Sequence, residues 1–207
     1  MTPKGNLVVN FTNESQRNDA AKLIEEKVSD TEAKIVKKLR PKIMICNVNK
    51  MEEDVLSELI ERNVFLRSIP DIEKKIEFIF HKEAAGNTNH YIFRCDPDVR
   101  KIIKDHNNKV QLRWANYDVR DRYHVMTCYR CQRFGHRADR CRSNIEDTVC
   151  GRCAENHKTK DCTSNTFKCI NCVRAKHQDV GHRVNTRACK SLENQLLQVA
   201  LITDHGY

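Results

Sequence analysis

The sequence predicts an α+β chain built in two parts. Three observations carry that reading. Residues 41–118 run through short apolar stretches and amphipathic segments in the order βαββαβ, nine of the eleven cysteines crowd into residues 128–189, and a shorter β-α-β pattern precedes both.

Residues 6–11, NLVVNF, form a short apolar run of strand type. Residues 14–29 set Ala20, Ala21, Leu23, Ile24 and Val28 on a helical period behind a cap at Asn13. A weaker strand signal over residues 33–37 ends at Pro41. Residues 1–40 therefore read as a partial RRM-like β-α-β segment, the second half of such a fold, and the chain is expected to begin inside a longer ancestral frame. Elements this short are marginal alone, so the segment is expected to dock on the next domain or fray.

Residues 42–48, KIMICNV, are a strand, and residues 52–63 a helix with Val55, Leu56, Leu59 and Ile60 toward the core. Residues 74–82 alternate, with Ile76, Phe78 and Phe80 on one face and Glu77 and Ile79 on the other. After a GNTNH turn come a strand at 90–95, a helix at 96–106 opened by Asp-Pro-Asp, and a closing strand at 109–114. The order is that of a ferredoxin-like split βαβ, the RRM-like topology, over residues 41–118. Tyr91 and Phe93 share a face, where they serve either as core or as base-stacking platforms. Cys46 and Cys95 read as buried small hydrophobes. Residues 119–127 form a basic and aromatic linker, in which Arg120, Arg122 and Tyr123 follow Tyr117 and suit contact with a single strand. The alternative there is an edge strand continuing from Trp114 with its side chains merely solvated.

The cysteines fall in three clusters. Residues 128–141 offer Cys128, Cys131, His136 and Cys141 in a C-x2-C-x4-H-x4-C spacing. Residues 150–162 offer Cys150, Cys153, His157 and Cys162. Residues 169–189 offer Cys169, Cys172 and Cys189, with His182 as the fourth group and His177 as its alternative. Gly181 precedes His182 as Gly135 precedes His136, which favours His182. Two thiolates two residues apart sit on one tight turn, and a following His and Cys close a tetrahedron with Zn–S near ~2.3 Å and Zn–N near ~2.0 Å. Segments of this size cannot bury a core, so three structural Zn2+ ions are expected to supply folding free energy, about 10–16 kcal/mol apparent per site. Four protein ligands leave no open position for catalysis. Disulfides would ask for a secreted chain, yet residues 1–10 show neither a basic n-region nor an apolar h-region.

The formal charge of +9 is concentrated with the cysteines, where residues 128–189 carry 13 Lys and Arg against 6 Asp and Glu. Such a basic surface suits phosphate contacts. No apolar run reaches the roughly 18 residues a membrane span needs, so no membrane partner is expected. Reduced thiols and the want of a signal-like run in residues 1–10 lead to the expectation of a cytoplasmic or nuclear protein.

Three consecutive CCHC knuckles, the first preceded by YDVRDRYHVMT, resemble the C-terminal part of Gag-like proteins, the first-open-reading-frame products of insect-type non-LTR retrotransposons. The resemblance covers residues 7–197, with the knuckles as its specific part. The nine residues between Cys172 and His182 exceed the usual gap. The resemblance implies a protein that coats or chaperones the element's own RNA and self-associates. In knuckles of this kind an aromatic after the first Cys and an apolar residue before Gly-His make a pocket for an unpaired base. Tyr129 and Phe134 stand there in the first knuckle, ringed by Arg130, Arg133, Arg137, Arg140 and Arg142. The second knuckle has Gly151 and Asn156 at those places and the third has Ile170. The first is therefore expected to grip single-stranded RNA or DNA, with the short linkers tethering the others nearby.

Two other functional classes bear on the same residues. His81-Lys82-Glu83 followed by C-x2-C superficially matches a zinc deaminase signature, but Thr127, Val149 and Lys168 stand where that signature needs Pro. No enzyme and no small-molecule substrate are expected. Knuckles acting as a protein–protein adaptor, as in a domesticated transposon derivative, are the runner-up reading.

Overall fold

The structure, a computed structural model, describes residues 9, 11, 13–28, 33–34, 38–50 and 54–206. The chain divides into two units, Met1–Lys38 and Leu39–Tyr207. In the first, helix α1 spans Glu14–Lys27, and the Asn13 side chain caps it by accepting the Ser15 N–H. The strands expected at 6–11 and 33–37 fall largely outside the described residues, and the four of their residues that are described lie in no strand.

The second unit holds a five-stranded antiparallel sheet in the order β2-β3-β1-β5-β4. Its strands are β1 (Lys42–Asn49), β2 (Ile76–Glu83), β3 (Thr88–Cys95), β4 (Lys109–Leu112) and β5 (Ala115–Asp121). Between β1 and β2 run the helices α2 (Val55–Arg62), α3 (Val64–Arg67) and α4 (Ile72–Lys75), and α5 (Pro97–Asp105) joins β3 to β4. Asp54 caps α2 by accepting the Leu56 N–H. The expected beginning of that helix at Glu52 lies outside the described residues. The turns α3 and α4 carry no long periodicity, yet they and the link between them bury Leu66, Ile69 and Ile72.

One sheet face packs on the helices. Ile43, Ile45, Val48, Phe93, Val99, Ile103 and Leu112 are its buried centre. Tyr91 and Phe93 are 2% and 0% exposed and belong to this core, so they are not stacking platforms. The register of β2 slips between Phe78 and Phe80, whose partners are the consecutive residues Phe93 and Ile92. Consecutive residues point to opposite faces, so the bulge turns Phe80 onto the face away from Phe93, not the shared face expected from alternation. Arg122 lies over the Phe80 ring there, 5.5 Å from its centroid.

The edge of the sheet differs from expectation. The strand expected over 109–114 stops at Leu112, and a two-residue turn at Arg113 and Trp114 returns the chain as β5. It is β5 that pairs with β1, through Val119, Arg120 and Asp121. The first residues of the expected linker 119–127 are thus sheet. Arg113 adopts φ 52°, a conformation usually left to glycine or asparagine, and no Gly or Asn marks the turn in sequence. Glu58 on α2 holds it by accepting the Arg113 N–H at 3.0 Å while pairing with Arg62.

The C-terminal helix, α7 (Lys190–Leu201), follows the third cysteine cluster, whose own short helix α6 spans Ile170–Arg174. Beyond α7 the chain returns to the sheet domain. Leu39 donates to Ile202 at 2.8 Å and accepts from Asp204 at 2.9 Å, and His205 meets the Tyr123 hydroxyl at 3.2 Å. Gly206, at φ +75°, lies so close to α5 that a Cβ there would stand 2.3 Å from the Pro97 carbonyl oxygen. No helix among the described residues is long and apolar enough to cross a membrane.

Candidate metal centres and nucleic-acid interface

The first two clusters share one local design. A bridge between Thr127 and Phe134, and another between Val149 and Asn156, each close a small hairpin around a C-x2-C turn. Gln132 and Ala154, the residues after each second cysteine, take φ 62° and 69° and let the chain reverse. A single 3-10 turn, Ala138–Arg140 or Thr159–Asp161, then delivers the last cysteine. The third cluster is built differently. Cys172 lies within α6, and Cys189 caps α7 by accepting the Leu192 N–H on its sulfur at 3.4 Å, so helices replace the hairpin.

The structure gathers Cys128, Cys131, His136 and Cys141; Cys150, Cys153, His157 and Cys162; and Cys169, Cys172, His182 and Cys189. Within each set the ligand atoms lie within 4.8 Å of one another. The separations are those of a tetrahedron. Cys153 to Cys162 and Cys172 to Cys189 are 3.7 Å between sulfurs, and Cys169 to Cys189 is 3.6 Å. Zn–S bonds of ~2.3 Å at tetrahedral angles put sulfurs about 3.8 Å apart, whereas a disulfide needs about 2.05 Å. The histidine Nε2 atoms reach Cys131, Cys153 and Cys172 at 3.4, 3.6 and 3.4 Å. Three sulfurs and one imidazole nitrogen per site fit Zn2+ and close its coordination sphere.

His182, not His177, joins the third set, although the glycine argument for it does not survive. Gly135 has φ +90° and needs to be glycine for that reason, since an added Cβ would meet nothing within 4 Å. Gly181 has no such φ. Its N–H instead donates to Asp179, whose carboxylate stands 3.7 Å from His182 Nδ1, beyond hydrogen-bond range. His177 ends α6 through its backbone N–H to Cys172.

Before metal arrives, the thiols differ. A hydrogen bond from His136 pulls Cys141 down to about 6. Burial pushes Cys150 up, but the Cys153 and Arg152 N–H groups outweigh it and leave the thiol at about 6. Burial likewise opposes ionisation of Cys172, which Ser191 nonetheless brings to about 7. Cys189 is pushed to about 12 by burial, and so is Cys95 in the sheet core, where no metal partner waits. Each set thus holds a thiol drawn below its ordinary range, which favours the thiolate that a cation needs.

Direct contacts join the clusters. The residue before the first cysteine of each later cluster donates to the residue two past the first cysteine of the one before: Val149 to the Arg130 carbonyl, and Lys168 to the Arg152 carbonyl, each at 2.8 Å. Buried Gln132 donates to the Val149 carbonyl at 2.9 Å, and its own carbonyl accepts from the Asn171 side chain at 2.7 Å. Arg174 of the third cluster donates to the Cys131 carbonyl of the first at 2.8 Å. Beyond the tethering expected from the short linkers, these contacts pack all three into one array.

The residues expected to touch nucleic acid divide by environment. Tyr129 is 81% exposed, its ring standing clear of the first cluster. Arg133, Arg137, Arg140 and Arg142 are exposed and form no ion pair among the described residues, while Phe134 is half-buried. Arg130 is turned inward, donating to the Cys141 and Ser143 carbonyls, and so helps place the last ligand. Arg120 is exposed on the outer sheet face, Arg122 lies over Phe80, and Tyr123 meets His205. Sequence reasoning missed Phe80, because the bulge that turns it outward has no local signature.

Over 53 residues, 25% of this chain, the sequence is 40% identical to a nucleic-acid-binding protein from the mobile element jockey of Drosophila funebris. The matched stretch spans 9% of that relative's length. No family model and no solved structure matches the chain.

Proposed function

We propose that this chain is a zinc-dependent, single-strand nucleic-acid-binding protein of the retrotransposon Gag-like type, coating or chaperoning RNA without catalysing a reaction. The observation that carries the reading is an exposed ring, Tyr129, together with four guanidinium groups that form no ion pair among the described residues, on a cluster that supplies all four candidate ligands from its own side chains. Unpaired bases present a π-face to such a ring, and the arginines suit the phosphates around it. The likeness to the jockey protein, described as nucleic-acid-binding, supports the same reading. Zn2+ held by the three sets would supply fixed geometry and folding free energy rather than a reactive centre.

The sheet domain supports a ferredoxin-like reading with one added strand. The order β2-β3-β1-β5, with helices crossing between β1 and β2 and between β3 and the β4–β5 hairpin, matches that pattern if β4 is an insertion. Without outward Tyr91 and Phe93, the sheet contributes positive charge through Arg120 and lacks the usual pair of stacking rings.

The test is titration of a labelled single-stranded RNA with the zinc-loaded chain. Tyr129→Ala is expected to weaken binding by about 5- to 150-fold, the worth of one stacked base, with zinc content unchanged. Unaltered affinity would remove the first cluster from the interface.

A further inference from the structure

We propose that Phe167, between Arg152 and Arg183, is a second base-stacking site that takes an unpaired nucleobase and its adjoining phosphate from the strand held by the first cluster. This rests on the single-strand reading above and adds a site to it. Phe167 lies between the second and third clusters and is 43% exposed. The Arg152 guanidinium stands 5.3 Å from the ring centroid and that of Arg183 5.9 Å from it. One arginine belongs to the second cluster and the other to the third, so only the folded array brings them to this ring.

The site is fixed from below. The Lys168 N–H, next to Phe167, donates to the Arg152 carbonyl at 2.8 Å, and the Val184 N–H, next to Arg183, donates to the Gly151 carbonyl at 2.9 Å. Two adjacent carbonyls of the second cluster thereby hold the segments that carry the ring and the second cation. No carboxylate pairs with either arginine among the described residues, and Arg152 Nε is buried without an acceptor. Two cations over one ring repel each other, and a phosphate between them relieves that repulsion. Arg183 is the exposed member of the pair. A base stacking on Phe167 displaces it from the ring and leaves its guanidinium for the neighbouring phosphate, while half-buried Arg152 stays. The contacts from Asn171 and Arg174 to the first cluster place Tyr129 and Phe167 on one rigid array, so both can engage a single strand.

The experiment uses the full zinc-loaded chain and fluorescein-labelled oligouridylates, one long enough to span the array and one only a few nucleotides long. Phe167→Leu, which keeps apolar volume but removes the ring, is expected to weaken binding of the long strand by about 5- to 150-fold with zinc content unchanged. Phe167→Tyr is expected to restore it, and Arg152→Gln with Arg183→Gln to flatten its salt dependence. Binding of the short strand should depend more on Tyr129 than on Phe167. Wild-type affinity for the long strand in Phe167→Leu, with Tyr129→Ala still impaired, overturns this site and leaves the proposed function standing. Absence of binding by the wild-type chain overturns both. If Phe167→Leu instead impairs capture of an aspartate-rich peptide and spares RNA, the site is a protein contact and the proposal fails.

Discussion

At the scale of single residues, the sheet domain is held by a few buried polar groups whose partners are far away in sequence. Arg100 on α5 is almost wholly buried and meets both Asp121 oxygens, at 2.6 and 3.0 Å. Removing the acid takes away the two-point partner of a buried cation, so Asp121→Ala is expected to destabilise the sheet domain in urea unfolding by up to about 3–5 kcal/mol. Asn63 donates to the Leu59 and Gln111 carbonyls and accepts the Gln111 N–H, which clamps α2 to β4. Arg113 has the opposite character. Its φ of 52° is strained for a side chain with a Cβ, so Arg113→Gly is expected to be neutral or to stabilise by up to about 1 kcal/mol. A loss beyond that would mean the side chain contributes more than the turn conformation costs. None of these roles could be read beforehand, since Asn63, Arg100 and Arg113 look like ordinary polar surface residues in sequence. The residues gathered into the three candidate metal sites were legible for the converse reason: each set is local, and its spacing is written in the chain.

At the scale of elements, periodicity found β1, β3, α2 and α5 because one side of each faces a single apolar core. It failed where geometry broke the period. The bulge in β2 sends Phe80 outward, and the Arg113–Trp114 turn splits one expected strand into the β4–β5 hairpin. It also could not show that the clusters pack together, because the joining groups are side-chain amides and backbone carbonyls. Gln132 is the test of that packing. Its side chain bonds the Tyr129 and Val149 carbonyls, so Gln132→Ala leaves two part-buried acceptors without that partner at a cost of about 1 kcal/mol. Faster zinc transfer to a chromogenic chelator from both the first and second clusters is the expected result. Acceleration at the first alone would show that the clusters are independent.

At the scale of the whole molecule, metal is expected to govern one part of the chain and not the other. Protons compete with Zn2+ for sulfur and imidazole, so zinc affinity falls as pH falls. Without metal, Cys141 and Cys150 are drawn down to about 6, Cys141 by a hydrogen bond from His136 and Cys150, against its burial, by backbone N–H groups, so protons compete increasingly for these two sulfurs as the pH falls through that range. Lowering the pH from neutral through that range is expected to release zinc while the sheet, which has its own apolar core and no candidate metal cluster among the described residues, stays folded by far-ultraviolet circular dichroism. The measurement that bears most directly on the account is binding of single-stranded RNA by the same preparation before and after chelation, across a salt series. The account predicts salt-sensitive binding that disappears with the metal and returns on adding Zn2+. Equal binding by the metal-free chain, or none by the zinc-loaded one, would contradict it.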